Sequence, residues 1–261
     1  MCLLDLIMNK KIKFFFLSLI NACLFLIFVS LPYDWRNIGL IVIALGIMLV
    51  FWYGFGKAKL AYVVLPISLF LGYALFTTLL PFQVFLVILM SIIYGSICYF
   101  IFLLQNVFIV AIEYKTVPLY RAAYTVGSII SLFSAFFLFN TIFSFRWLFV
   151  WNALAVFIVS CFLFYYIFWS VSIENYAENK TKKWYHYVLV PAFLMSQLAI
   201  IFSFWPVGIF KGSIYLVSIM YIIEGLLQSD LRDRFFRRIW LSFLWIGIAI
   251  VLGIILTTEW R

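Results

Sequence analysis

The residues of this 261-residue chain that could do chemistry are few and scattered. Its one histidine, His186, stands beside Trp184 and the cluster Lys180, Lys182 and Lys183, with no acid or nucleophile at a spacing that would make it a general base or a metal ligand. Cys2, Cys23, Cys98 and Cys161 show no metal-ligand spacing, and three of them fall in apolar runs where a thiol packs as a small hydrophobe, so no metal, cofactor or disulfide is expected. Glu224, in Tyr221-Ile222-Ile223-Glu224-Gly225-Leu226, falls inside an apolar run, where a carboxylate is costly and commonly functional. It is a candidate proton or cation site; the competing reading is a carboxylate near the membrane surface paired with an arginine of the following loop. Asp34, in Pro32-Tyr33-Asp34-Trp35-Arg36, is the carboxylate that could serve a lipid-linked glycosyl transfer. Glu113 and Arg121 flank Pro118, which biases Val117 away from helix and can start the next helix, so the two charges could pair across a structural turn.

The elements that must position these groups are set by composition. With 68% hydrophobic and 10% charged residues, the chain departs from the roughly half apolar, quarter charged mix of globular domains. A hydrocarbon core of about 30 Å takes about 20 apolar residues per helix and leaves no backbone group unpaired, so the fold class is all-α, a polytopic transmembrane bundle. About nine spans are expected, near 14–31, 38–55, 60–79, 84–111, 122–145, 148–171, 185–205, 213–229 and 239–258, as one integral membrane domain over 1–261. Pro81 and its neighbours Leu80, Phe82 and Gln83 divide the uncharged stretch from Leu60 to Ile112 into two helices. The span near 213–229 is the weakest, with about a dozen uncharged residues between Lys211 and Glu224, and a re-entrant segment is its rival. Met8 opens a basic start, Lys10, Lys11 and Lys13, and Met1 to Ile7 could be an upstream start artefact. Leu31 and Pro32 follow the first run where a signal peptidase would need small residues, so the first helix is read as a retained anchor.

Cationic residues orient the bundle. With the N-terminus inside, fourteen of the eighteen Lys and Arg fall in inside segments, leaving Arg36, Arg146, Lys211 and Arg261 outside, so the C-terminus is expected outside. Trp35, Trp147, Trp205 and Trp260 then fall at outer span ends, and Trp52, Trp169, Trp184 and Trp240 at inner ones, where indole prefers to sit. The net charge of +9 suits the anionic cytoplasmic leaflet rather than nucleic acid, with Arg232, Arg234, Arg237 and Arg238, interleaved with Phe235 and Phe236, as the headgroup-facing cluster. An acidic membrane-protein partner would suit the same cluster.

Gly127, Ser131, Ser134 and Ala135, and Ser91 with Gly95, place small residues at helical spacing, as close helix packing requires. Asn140 and Asn152 could meet across a hairpin; Asn21, Gln105, Asn106, Gln197 and Gln228 are the other amides in the spans, whose ordinary use is interhelical hydrogen bonding. No Gly-rich phosphate loop and no inverted repeat is present.

Val117 to Gly127, Phe139, Asn140 and the closing Leu256-Thr257-Thr258-Glu259-Trp260 resemble an uncharacterised family of bacterial multi-pass membrane proteins with no assigned activity. The resemblance implies a bacterial cytoplasmic-membrane protein and carries over no functional residues. Three functions stay open: a non-enzymatic subunit or scaffold of a membrane complex, favoured because no site is apparent; a carrier or channel for a small solute or lipid; and a lipid-modifying enzyme. The orientation is testable by cysteine-accessibility labelling. A thiol introduced at Lys182 is expected to react only from the cytoplasmic side and one at Lys211 only from the opposite side, and the reverse pattern overturns it.

Overall fold

The computed structural model describes residues 3–55, 60–81, 83–114, 119–177, 184–232 and 237–258. Among these the chain is helical throughout, apart from turns: α1 (Leu3–Ser30), a short 3-10 turn (Tyr33–Trp35), α2 (Arg36–Phe55), α3 (Leu60–Thr77), α4 (Val84–Tyr114), α5 (Tyr120–Ser144), α6 (Phe149–Ala177), α7 (Trp184–Phe204), α8 (Ile209–Leu231) and α9 (Arg237–Thr257). Eight of the nine are long and apolar enough to cross a membrane. The weakest expected span becomes α8, an unbroken helix of 23 residues that begins ahead of Lys211. The short member is instead α3, whose 18 residues rise about 27 Å. It tolerates that length because Ala61–Leu65, Leu69, Phe70, Tyr73 and Ala74 are buried, so protein rather than lipid surrounds it. Lys57, Lys59, Lys115, Pro118, Lys180, Lys182, Lys183, Arg234, Glu259, Trp260 and Arg261, and the side chain of Arg238, lie outside the described residues.

The chain divides into two compact units within α5, one running through Ile130 and the other from Ser131. In the first, α1 and α4 make the most extensive pairing, with α2 and α3 packed on them. The small residues expected to form a seam are the reason. A Cβ on Gly95 would stand 2.9 Å from that of Ala22 and 3.8 Å from the Ser18 carbonyl, so α4 approaches α1 as closely as the missing side chain allows. An aromatic nest fills the space between the helices: Phe102 stacks on Phe51 at 4.1 Å, and Phe25 meets Tyr94 at 5.0 Å and Tyr73 at 5.3 Å. Gly54 leaves room for it, its absent Cβ lying 3.1 Å from the Phe102 ring.

Pro66, inside α3, poses a specific difficulty. Proline has no N–H, so the carbonyl of Tyr62, four residues earlier, loses its intrahelical donor in a medium that offers no water. Gln105 of α4, fully buried, donates its Nε2–H to that carbonyl. The amide counted in the sequence as interhelical glue thus has a defined task.

In the second unit, α6 and α7 pair antiparallel in a continuous register, with Phe149 against Phe204 at 5.0 Å and Phe168 against Tyr187 at 5.7 Å. Helices α8 and α9 pair through glycines. A Cβ on Gly225 would lie 2.2 Å from Phe243, and Gly253 takes Tyr215, whose hydroxyl bonds Thr257 Oγ1 at 2.8 Å. Trp205 Nε1–H donates to Thr258 Oγ1 at 2.7 Å, tying the end of α9 to the α7–α8 turn. The paired threonines of the closing motif are therefore packing residues.

The Pro66 arrangement predicts coupled mutations. Gln105→Leu should cost about 1–3 kcal/mol, the penalty for a buried carbonyl left unpaired. In a Pro66→Ala background the restored backbone N–H at that position can take the Tyr62 carbonyl, and the same Gln105 substitution should cost at least about 1 kcal/mol less. Unfolding titrations of the four proteins in mixed micelles measure the difference, and equal costs in both backgrounds would show that the bond is incidental.

Candidate functional site

Two cavities of similar size stand one in each unit. In the first unit a cavity of about 370 Å³ is walled by Lys10, Lys13, Phe14, Tyr62, Asn106 and Glu113, among others. Lys13 Nζ–H donates to the carbonyls of Tyr53 (3.2 Å) and Gly54 (3.4 Å) and lies 4.7 Å from the Tyr53 ring centroid. It therefore caps the C-terminus of α2, where the last carbonyls lack helical donors and the helix dipole favours a cation. Glu113 is exposed on the same wall and, among the described residues, makes no ion pair with Arg121; the pairing across the turn that the sequence suggested does not form. The reason is placement: Glu113 lies in the last turn of α4, facing a cavity that Arg121, in the first turn of α5, does not line.

The other candidates separate. Asp34 is exposed in the 3-10 turn, and the small cavity of about 70 Å³ beside it is lined by Arg36, Thr77 and Thr78 but not by Asp34. Arg36 is itself held by a bond from its Nε–H to the Leu31 carbonyl at 3.2 Å. Glu224 is 3% exposed, in the second half of α8. Arg232 is half-buried at the C-cap of α8, its N–H donating to the Gln228 carbonyl at 3.1 Å, while Arg237 is exposed at the start of α9. Cys23, Cys98 and Cys161 are free thiols, and the described residues hold no group of three His, Cys, Asp or Glu that could grip a metal ion.

The cavity of the second unit, also about 370 Å³, is the more constructed of the two. Its walls come from the end of α5 (Phe143), the α5–α6 turn (Arg146, Trp147), the start of α6 (Phe149, Asn152), the end of α7 (Phe202–Phe204), the α7–α8 turn (Trp205, Val207, Gly208) and the start of α8 (Ile209, Gly212). The sequence suggests Asn140 as the partner of Asn152, but the two do not hydrogen-bond. The Asn152 Nδ2–H groups are directed instead to the Trp147 carbonyl and to Ser203 Oγ, both at 3.4 Å, because the α6–α7 register brings Ser203 opposite. Its Oδ1 is buried and takes no donor among the described residues. A Cβ on Gly208 or on Gly212 would meet nothing within 4 Å. No side chain caps the first turn of α8, whose N–H groups lack helical acceptors.

Arg146 closes α5. Its N–H donates to the Phe143 carbonyl at 3.2 Å and its φ is 49°, the left-handed conformation that terminates helices and that glycine adopts most readily. An arginine at this place is retained against a local steric cost and adds a cation to the cavity wall. The sequence signalled the outer turn, its arginine and the two asparagines; it held no sign that Ser203, Gly208 and Gly212 would converge on them, since that depends on how α6, α7 and α8 pack.

Fold and cavities together define a polytopic helical membrane protein. The chain belongs to the protein family of unknown function DUF5656, whose model matches residues 55–257. No curated protein and no solved structure matches it.

The backbone at Arg146 yields a prediction. Arg146→Gly removes a left-handed conformation that costs a non-glycine residue about 1–2 kcal/mol, offset in part by glycine's greater freedom in the unfolded chain. The variant should be more stable by about 0.5 kcal/mol or more. Thermal unfolding in detergent measures it, and a clear loss of stability would mean that the side chain's contacts outweigh the strain.

Proposed function

We propose that this is a non-enzymatic integral membrane protein that holds a lipid or small solute at the α5–α6 and α7–α8 end of its second unit, acting as a carrier or as the lipid-holding subunit of a membrane complex. The observation that carries the reading is the cavity that Asn152 and Arg146 line: it falls within the roughly 300–1,000 Å³ of ordinary ligand pockets, and aromatic rings and polar groups share its walls. A lipid-modifying role is less well supported, because Asp34 is solvent-facing and apart from the cavity beside it.

In this reading the protein resides in a bacterial cytoplasmic membrane with its N-terminus inside, as the positive charges favour. The cavity then opens near the outer surface. Arg232, Arg234, Arg237 and Arg238 face anionic lipid on the cytoplasmic side or an acidic membrane-protein partner. Glu224 is kept as the candidate for a coupling ion.

Gly212→Leu supplies the test. A Cβ at this buried position would meet nothing within 4 Å, and leucine is the better helix former by about 1 kcal/mol. Stability should be equal or higher while the cavity is plugged. Native mass spectrometry of gently extracted protein should show a retained lipid or solute on the wild type and its loss from Gly212→Leu. Equal retention by both would remove the cavity as the binding site.

A further inference from the structure

We propose that the cavity of the first unit is a second binding site, for a zwitterion: a phosphate ester that carries a primary ammonium on a short arm. Its walls, unlike those of the cavity in the second unit, hold both signs of charge, Lys10 and Lys13 from α1 and Glu113 from α4. Among the described residues none of the three has an ion-pair partner. Opposite charges thus share a space of about 370 Å³ without neutralising one another, and their order along the helices shows what would answer both.

Helices α1 and α4 run antiparallel, with Gly95 against Ala22 and the Phe14 ring stacked on Phe102 at 5.6 Å. That register sets Lys10 level with Asn106, and Glu113 two turns farther along α4, about 10 Å toward its polar end. Outward from the apolar run that opens at Phe14, the cavity therefore presents two ammoniums and an amide, then a carboxylate. Lys13 gives two N–H groups to the Tyr53 and Gly54 carbonyls and keeps a third. The half-buried Asn106 amide hydrogen-bonds to no described residue. An anion alone would suit the lysines and meet Glu113 as a like charge, and a cation alone would do the reverse. A phosphate among Lys10, Lys13 and Asn106, with its ammonium directed at Glu113, pairs every charge in the walls. The same order, apolar part, phosphate, ammonium, runs through an ethanolamine phospholipid from its chains outward, and the exposed Phe15, Phe16 and Leu19 of α1 offer those chains a surface. Free phosphoethanolamine has the same polar chemistry.

The full-length protein in mild detergent is to be titrated with dioleoyl phosphatidylethanolamine, which has phosphate and ammonium; with dioleoyl phosphatidylmethanol, which has the phosphate and no ammonium; and with free phosphoethanolamine, with binding read by native mass spectrometry. A merely cationic membrane face would favour phosphatidylmethanol, whose net charge is negative. The proposed site should instead bind phosphatidylethanolamine at least about tenfold more tightly. Glu113→Gln should abolish that preference, and Lys10→Gln should weaken both lipids alike, each at an exposed side chain. Gly212→Leu, in the other cavity, should leave the preference as it is. Free phosphoethanolamine binding as tightly as the lipid would uphold the ligand chemistry and assign it to a solute. Phosphatidylmethanol binding as tightly as phosphatidylethanolamine, a preference that survives Glu113→Gln, or binding untouched by Lys10→Gln would overturn the proposal. A preference lost in Gly212→Leu would overturn it too, by moving the ligand to the second unit.

Discussion

The hydrocarbon interior of a membrane supplies no hydrogen-bond partner, so a backbone group that a helix leaves unpaired has to be answered from within the fold. Pro66 shows this most directly: it strands the Tyr62 carbonyl, and Gln105 crosses from α4 to meet it. The same requirement explains why serines and threonines in the helices return their hydroxyls to carbonyls three or four residues earlier, as Ser68, Thr141, Ser170 and Ser213 do. It also explains Lys13, which leaves the basic cluster before the first apolar run to cap α2.

Without a hydrophobic drive between helices, cohesion comes from fit. The first unit achieves it with small residues where backbones meet, Gly95 against Ala22, and with flat rings that fill what the small residues leave, Phe51 on Phe102 and Phe25 on Tyr94. In the second unit glycines serve two opposed purposes. Gly225 is filled by Phe243 and closes the α8–α9 contact, whereas Gly208 and Gly212, on the same helix and its approach, face nothing and keep a cavity open. The same residue type therefore packs in one case and makes room in the other, and only its neighbours distinguish them. Arg146 extends the pattern: a position that favours glycine on backbone grounds carries a charge.

Much of the fold was legible in the chain because the constraint that shapes it is one-dimensional. The length of an apolar run and the breaks between runs decide where a helix starts and ends in lipid, and the expected spans agree with α1 to α9 to within a few residues except where α1, α6 and α8 extend further into the polar ends. Composition alone excluded a soluble domain, and the small residues at Ser91 and Gly95 announced a close contact before its partner was known. The partners were another matter. Glu113 and Arg121 are eight residues apart yet do not pair, and Asn140 and Asn152 stand on either side of one turn yet do not bond, because the direction of a side chain on a helix depends on which neighbour that face meets. Gln105 and Tyr62, forty-three residues apart, do bond, and so do Asn152 and Ser203, fifty-one apart. The sequence by itself determined the class and the approximate bounds of the helices among the described residues, since these follow from transfer of each segment into lipid. The pairing of helices, the task of each buried amide and the existence of a cavity at Asn152 were decided by the tertiary structure, because they depend on the mutual rotation of helices, which a hydropathy pattern uniform around each helix leaves undetermined.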